Sequence, residues 1–381
     1  MTATEGQESP EIFHQWVGIS LVSAAINRDC WLDREHYILY PNIYVCLSSG
    51  SARCRRSTAI KIGIQHVFEK AFPQYPGMCS QKITSAALFK HLHRVYKETE
   101  KSCLFLVNDE LLTLFGKSAS DNELITVLTK LYDSPDEWTY ETIVRGRERI
   151  DKAYAVFLAS SAPYWLRQII PVDAIGAGFT GRIIFVYQPD TSRRFAFPTI
   201  TAEQHQAYKD CIHDLQQIGM LGGEFVLTDA AKKYYKHWYE DTWNPDAGGE
   251  LLEGYNNRKA DTVLKLSMLL CVEQRDVLKI EKADVQIALK IMEQNEKYLP
   301  YIMKLIEQTE VGEAASSIIQ FIQNGDGVVS ETALLQAFRH RFSSNELAIH
   351  LGTLVKARVL AIDQSRGPQN IKYTLIERKK K

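Results

Sequence analysis

Asn42-Ile-Tyr-Val-Cys-Leu47 leads through Ser48-Ser-Gly-Ser-Ala-Arg-Cys-Arg-Arg56 into Ser57-Thr-Ala-Ile-Lys-Ile-Gly-Ile-Gln-His-Val-Phe68, and this stretch decides the fold. Its first part is apolar, β-branched and aromatic; its middle is small and basic; its last part repeats apolar residues at helical spacing. Strand, loop and helix follow in that order. Downstream, Ser102-Cys-Leu-Phe-Leu-Val107 runs into Asn108-Asp109-Glu110, Tyr154-Ala-Val-Phe-Leu-Ala159 into Ser160-Ser-Ala-Pro163, and Ile183-Ile-Phe-Val-Tyr187 follows Gly176-Ala-Gly-Phe-Thr-Gly-Arg182. Apolar strands separated by helical stretches predict an α/β unit, a mainly parallel sheet with helices on both faces.

Around this core the pattern changes. Ile12 to Trp31 reads as a first helix with a polar break at Asn27-Arg28-Asp29, and after Pro198 long amphipathic helices follow: Ala202 to Ile218, Ala230 to Trp243, Arg258 to Cys271 and Lys282 to Gln308. Gly325-Asp-Gly327 breaks the chain again. Ser330 to Phe338 and Ser343 to Ala357 read as helices, and Val359 to Asp363 and Ile371 to Ile376 as a β-hairpin around Ser365-Arg-Gly-Pro368, the pattern of a winged helix. The expected division is a core at 1–198, an all-α lid at 199–310 and a winged helix at 311–381.

Composition excludes other classes. With 381 residues, 45% hydrophobic and 24% charged, the chain suits two or three folded domains and not a disordered scaffold. Apolar runs such as Ala153 to Ala159 fall far short of the ~18–20 residues of a spanning helix, and Met1 to Pro10 is polar and acidic, so a cytoplasmic protein without a membrane partner is expected. The seven cysteines include no C-x-x-C pair and read as reduced thiols. Net charge is −1 overall but +6 from Gly327 to Lys381, which sets the C-terminal end apart electrostatically.

The loop after the first strand sits where a phosphate-binding loop would. Backbone N–H groups of Gly50, Ser51, Ala52, Arg53, Cys54, Arg55, Arg56, Ser57 and Thr58 would curl around an anion, with Arg56 reaching the outer phosphates and Ser57 serving Mg²⁺. Against G-x-x-x-x-G-K-[ST], Gly50 and Ser57 fit, whereas Arg55 replaces the second glycine and Arg56 the lysine. A basic surface turn without a ligand is the plainer alternative. Asp109 and Glu110 end the next long strand, where such sheets open their ligand crevice. Asp109 would hold Mg²⁺ through water and Glu110 would orient the attacking water; alone, such a pair is more often a helix N-cap or a surface turn.

Taken together, Tyr40 to Ile60, Leu106-Val-Asn-Asp-Glu110, Gly178-Phe-Thr-Gly-Arg-Ile-Ile-Phe185 and Asn257 to Ser267 resemble a P-loop ATPase of the AAA+ type. Within that group the chain resembles the phage- and plasmid-associated primase-helicase-like ATPases, and more loosely the minichromosome maintenance helicases. The resemblance spans roughly residues 12–300. It implies a three-layer sandwich, ATP with Mg²⁺ as cofactors, and assembly into a ring or filament such as a hexamer. Carried onto this sequence, it implies that Arg182 acts as an arginine finger in trans, that Arg258 senses nucleotide from the lid, and that Ser161, beside Ser160, lies near the polar sensor. Ala162 stands where those helicases carry Asn. A salt-bridged scaffold arginine at 182, and an ordinary helix-opening charge at 258, are the plainer readings.

Trp138 to Arg149 alternates around Gly146 like a hairpin, and Arg145, Arg147 and Arg149 would contact DNA, with Trp138 or Tyr140 stacking on bases. A charged edge that merely guards against aggregation is the alternative. In the winged helix, Arg366 and Lys372 flank the wing and the helix from Ser343 to Ala357 is the recognition element, although such modules also bind proteins. His91-x-His93 lacks a third ligand nearby. The expected function is an ATP-hydrolysing, DNA-binding motor, helicase or helicase loader, acting with replication proteins on mobile-element DNA. The alternative is a nucleotide-sensing adaptor or scaffold in which hydrolysis is weak or absent.

Overall fold

The computed structural model describes residues 2–50, 54–80, 82–115, 119–142, 146–170, 178–191, 193–307, 310–325, 327–363, 365, 367 and 371–376. The chain forms two compact units, Met1–Glu307 and Gln308–Lys381.

A sheet of five parallel strands organises the first unit: β1 (Tyr44–Ser48), β2 (Met78–Cys79), β3 (Ser102–Asn108), β4 (Ala153–Ser161) and β5 (Ile183–Tyr187), in the order β2-β3-β4-β1-β5. Every residue of β1, β3 and β4 is buried, which is why these strands read as unbroken apolar runs without alternation. Register shows how the faces are covered. Tyr44 pairs with Phe157, and the Tyr44 hydroxyl donates to the Leu128 carbonyl at 2.8 Å, in helix Ala119–Tyr132. Tyr154, three residues before Phe157 and therefore on the other face, donates to the carbonyl of Ser23 at 2.8 Å. Ser23 belongs to helix α1 (Glu11–Ile26). The sheet is thus sandwiched between helices, as the sequence predicts.

Helix α1 explains why the region after Pro198 does not stand alone. It is buried on almost all sides, from Phe13 and Trp16 to Ala25 and Ile26, so the sheet can cover only part of it. Helices Ala202–Ile218 and Glu253–Gln274 pack on the rest. The helices up to Glu307 therefore belong to the first unit and form no separate domain. The predicted first helix also ends early: Asn27 adopts φ +58, a short 3₁₀ turn follows, and Cys30–Asp33 is a strand that pairs with Ile38–Leu39 and with Gly223–Glu224.

The segments Glu137–Thr142 and Gly146–Asp151 form the predicted antiparallel hairpin, closing with Thr142 opposite Gly146. Trp138 is not free for stacking on a base. It packs edge-on against Phe89 with centroids 4.9 Å apart, and the Lys130 ammonium lies over its ring.

The second unit has a core of Ile318, Ile322, Leu334, Leu347, Leu351, Leu354, Leu360 and Tyr373. Helices Glu310–Asn324, Glu331–Phe338 and Ser344–Lys356 supply most of it. Strand Lys372–Leu375 lies between Val328–Ser330 and Leu360–Asp363, antiparallel to both. Among the described residues of both units no helix is long and apolar enough to cross a membrane.

Candidate functional site

Because the sheet is parallel, Ser48, Asn108, Ser161 and Tyr187 end their strands at one edge, and the loops that follow emerge there together. This is the edge at which open α/β sheets bind ligands. The helix after β1 begins at Arg56 and runs as Arg56–Lys61, a π-helical segment Ile62–Phe68 and Glu69–Ala71; we call it α2. Its first hydrogen bonds are made by the Arg55 carbonyl, which accepts from Thr58 N at 3.0 Å and Ala59 N at 3.2 Å. Thr58 is exposed, and Gly50 and Ser57 are half-buried. Ser51, Ala52 and Arg53 lie outside the described residues. Cys54 is buried, its thiol 3.5 Å from the carbonyl oxygen of Gln188, just after β5.

Arg55 holds φ +47 and ψ +44, the left-handed conformation that glycine adopts without steric cost. This is the position where the phosphate-loop motif carries its second glycine. The backbone shape that glycine permits is therefore present, and an arginine bears it. The strain is held from outside the loop: Ser9 Oγ donates to the Arg55 carbonyl at 2.9 Å, and Glu8 accepts from Arg55 Nε at 2.7 Å. Glu8 in turn is fixed beyond β5, its carbonyl accepting from Thr191 Oγ1 at 3.0 Å.

The acid pair meets this loop. Ser57 Oγ approaches the Asp109 carbonyl at 3.5 Å, Ser160 Oγ donates to the same carbonyl at 2.6 Å, and Lys61 Nζ stands 3.6 Å from the Asp109 carboxylate. Ser160, rather than Ser161, thus links the ends of β3 and β4; the Ser161 hydroxyl stays local, on the carbonyl of Ala162. Arg56 turns back onto the loop and donates to the Ser49 carbonyl. Glu110 lies close enough to feel that guanidinium: burial raises its carboxyl pKa, the Arg56 charge pulls the other way, and Asp109 adds to the rise. One Glu110 oxygen, Oε1, is buried without a partner among the described residues. A buried, unpaired carboxylate oxygen beside a cation in a cleft is an acceptor left for a ligand or water.

The donor set of Ser57, Asp109 and Glu110 is all oxygen and suits Mg²⁺. The orphaned Glu110 oxygen fits that reading. Lys61 is the residue sequence reasoning missed. It lies four positions after Ser57, one helical turn on and on the same face, which is the signal that would have found it. Glu8 and Ser9 carry no comparable local signal.

Arg182 and Arg258 are elsewhere. Arg182 precedes β5, and Ile183 pairs with Tyr44 at the start of β1, so Arg182 sits at the opposite edge of the sheet. The length of β1 separates it from the phosphate loop, roughly 16 Å at ~3.3 Å per residue. There it is 8% exposed, donates to both Asp133 oxygens at 2.8 and 3.1 Å, and donates to the Gly178 carbonyl at 3.0 Å. This is the ion-paired scaffold geometry and offers no exposed guanidinium to a neighbouring subunit. Arg258 shares the same partner, 3.8 Å from Asp133, and Gly181 lets its helix approach so closely that a Cβ there would meet the Gly254 carbonyl at 2.2 Å. Helix Glu253–Gln274 thus docks Arg258 at the amino edge, away from the phosphate loop of its own chain.

Of the expected DNA contacts, Arg145 and Arg366 lie outside the described residues. Arg147 is opposite Glu141 and Arg149 opposite Thr139 in the hairpin register. Lys372 is exposed and pairs in register with Ser330 and Asp363. No protein-family model matches the chain, and no curated protein shows significant similarity to it.

Proposed function

We propose that the first unit binds a nucleoside triphosphate with Mg²⁺ at the carboxyl edge of its sheet, as a P-loop ATPase of the AAA+ kind would. One observation carries the reading: a basic loop with a left-handed residue at the motif's glycine position converges with Asp109 and Glu110 at the end of the buried strand β3, one strand removed across β4. In this reading the loop amides and Arg56 hold the phosphates, Ser57 and Asp109 hold the metal, which neutralises phosphate charge, and Glu110 orients water. The second unit, three helices with a three-stranded antiparallel sheet, is read as a winged helix that binds DNA. On the solvent face of Ser344–Lys356, Asn345, Thr353 and Lys356 are exposed and could meet DNA, beside Glu346 and Ile349. The whole is then an oligomeric ATPase acting on DNA in replication of mobile elements.

A second reading rests on its own observation. Arg56 is already bonded to Ser49 and Lys61 already faces Asp109, so the cations and the metal ligand satisfy each other without nucleotide. That favours an adaptor in which nucleotide is bound but turned over slowly or not at all.

Calorimetric titration with MgATP and DNA-stimulated phosphate release by the whole chain separate the two. The motor requires release that Glu110→Gln abolishes while binding survives. Tight binding with near-zero release, raised by Arg56→Lys, identifies the adaptor. Absence of any MgATP binding refutes both.

A further inference from the structure

We propose that the first unit holds a second small-molecule site, an acid-rimmed apolar cavity suited to an amine with a hydrocarbon chain. The cavity has a volume of about 490 Å³ and lies between α1, the π segment of α2 and helices Ala202–Ile218, Glu253–Gln274 and Lys282–Glu296. That volume is within the usual range of ligand pockets. None of its lining residues belongs to the phosphate loop or the Asp109–Glu110 pair. Its walls are hydrocarbon, from Val22 and Val67 to Leu215, Ile218, Leu270 and Ile291.

Charge selects the ligand's head. Asp214 and Glu273 both line the cavity, and among the described residues no lysine or arginine does. Burial raises the Glu273 pKa and the Asp214 carboxylate raises it further, against a smaller pull from the amino-terminal charge; both acids are exposed, and Asp214 also has His213 Nδ1 at 3.5 Å. His14, the imidazole in the lining, is held down to about 4 chiefly by burial and brings no positive charge at neutral pH. An ammonium placed between the acids relieves their repulsion while its chain fills the apolar interior. A carboxylate head would add to the repulsion, so fatty acids are excluded in favour of apolar amines.

Gly18 provides the test. It lines the cavity from α1, and a Cβ added there meets no atom within 4 Å. A side chain at 18 therefore has room for its Cβ on the cavity wall, and replacing a helical glycine also favours the fold. The probes are decylamine, decanol and decanoate, each titrated calorimetrically into the full chain below its micellar concentration. Decylamine is expected to bind saturably, roughly two- to fivefold tighter than decanol, the worth of one exposed ion pair, with decanoate weakest. Glu273→Gln should bring decylamine down to the affinity of decanol and leave decanol unchanged. Gly18→Leu should abolish binding of all three with the melting temperature kept or raised; should that variant not fold, Gly18→Ala should weaken all three. No saturable binding of any probe, equal affinity for all three, or binding indifferent to both Gly18 variants would overturn the proposal.

Discussion

Ser9 Oγ donates a 2.9 Å hydrogen bond to the carbonyl oxygen of Arg55, tying a residue two positions ahead of the first α-helix to a loop residue in the left-handed region. The bond holds in place a backbone shape that an L-residue with a Cβ adopts at a cost of roughly 1–2 kcal/mol. Arg55→Gly removes that cost, gives up the ion pair to Glu8 and adds freedom to the unfolded chain, about 0.5–1 kcal/mol against it. Urea denaturation should therefore show Arg55→Gly equal to or slightly above the wild type. Arg55→Val, branched at Cβ, should fall below it by about 1 kcal/mol or more. A valine variant as stable as wild type would show that the loop does not hold this conformation.

Glu110 makes a prediction in which stability and activity move in opposite directions. Its folded-state pKa lies above the ordinary 4.5, chiefly through burial. An acid shifted upward binds its proton more tightly in the native state, so its contribution to stability is present at low pH and is lost as pH rises through the folded-state pKa. Glu110→Gln, which cannot ionise, should raise the melting temperature at neutral pH. That gain should shrink towards zero below the ordinary 4.5, while phosphate release is lost at every pH. Thermal scans across the acid range read the first effect, and a gain that is constant with pH would count against it.

Asp133 bridges two arginines, and its loss should hurt through Arg182 more than through Arg258. The Arg182 guanidinium is buried and bonded to both carboxylate oxygens, whereas Arg258 is a third exposed and 3.8 Å away. Asp133→Asn leaves Arg182 buried beside a weaker acceptor. Because Asp133 itself is half exposed, the cost is discounted to about 1–3 kcal/mol. Arg182→Gln should destabilise the isolated chain with or without nucleotide, and Arg258→Gln should do so less. An Arg182→Gln protein of wild-type stability that lost only assembly-dependent hydrolysis would instead revive the trans arginine finger.

The fold was legible where burial made the sequence monotonous. Strands buried on both faces carry no polar residue inside, so β1, β3, β4 and β5 appear in the sequence as apolar runs with polar loops at one end, and a parallel sheet is their simplest arrangement. The convergence of the loop near Arg55 with Asp109 and Glu110 was legible for the same reason, since parallel strands deliver their loops to one edge. Long-range pairing was not legible. That Cys30 and Trp31 pair as strand depends on Gly223–Glu224, nearly two hundred residues away, and that Arg182 is spent on Asp133 depends on a turn after a distant helix. Neither contact leaves a local pattern. The lid read as a separate domain because its helices are amphipathic, but amphipathicity shows only that a face is covered and not that α1 covers it.

Lys265 offers a last and independent check on how that helix docks. It is buried in Glu253–Gln274, donates to the Asn42 carbonyl at 3.1 Å and to Asn42 Oδ1 at 2.8 Å, and lies 3.9 Å from the centre of the Tyr132 ring. Burial lowers its pKa from 10.5 to about 7; Asp261 and Asp133 resist the fall, and Arg258 and Arg182 add to it. Between those two values the unfolded chain binds more protons than the native one, so stability should rise with pH across that window. Lys265→Met removes the titration and leaves two buried acceptors unpaired, each worth about 1–3 kcal/mol. The variant should therefore lie below wild type, with a deficit that is smallest in mild acid and widens as pH rises through neutrality towards the alkaline end of the window. Urea unfolding midpoints at a series of pH values measure the difference. A deficit that does not change with pH would mean that Lys265 keeps its proton, and that the amino edge of the sheet is wetter than the packing of Asn42, Tyr132 and Lys265 implies.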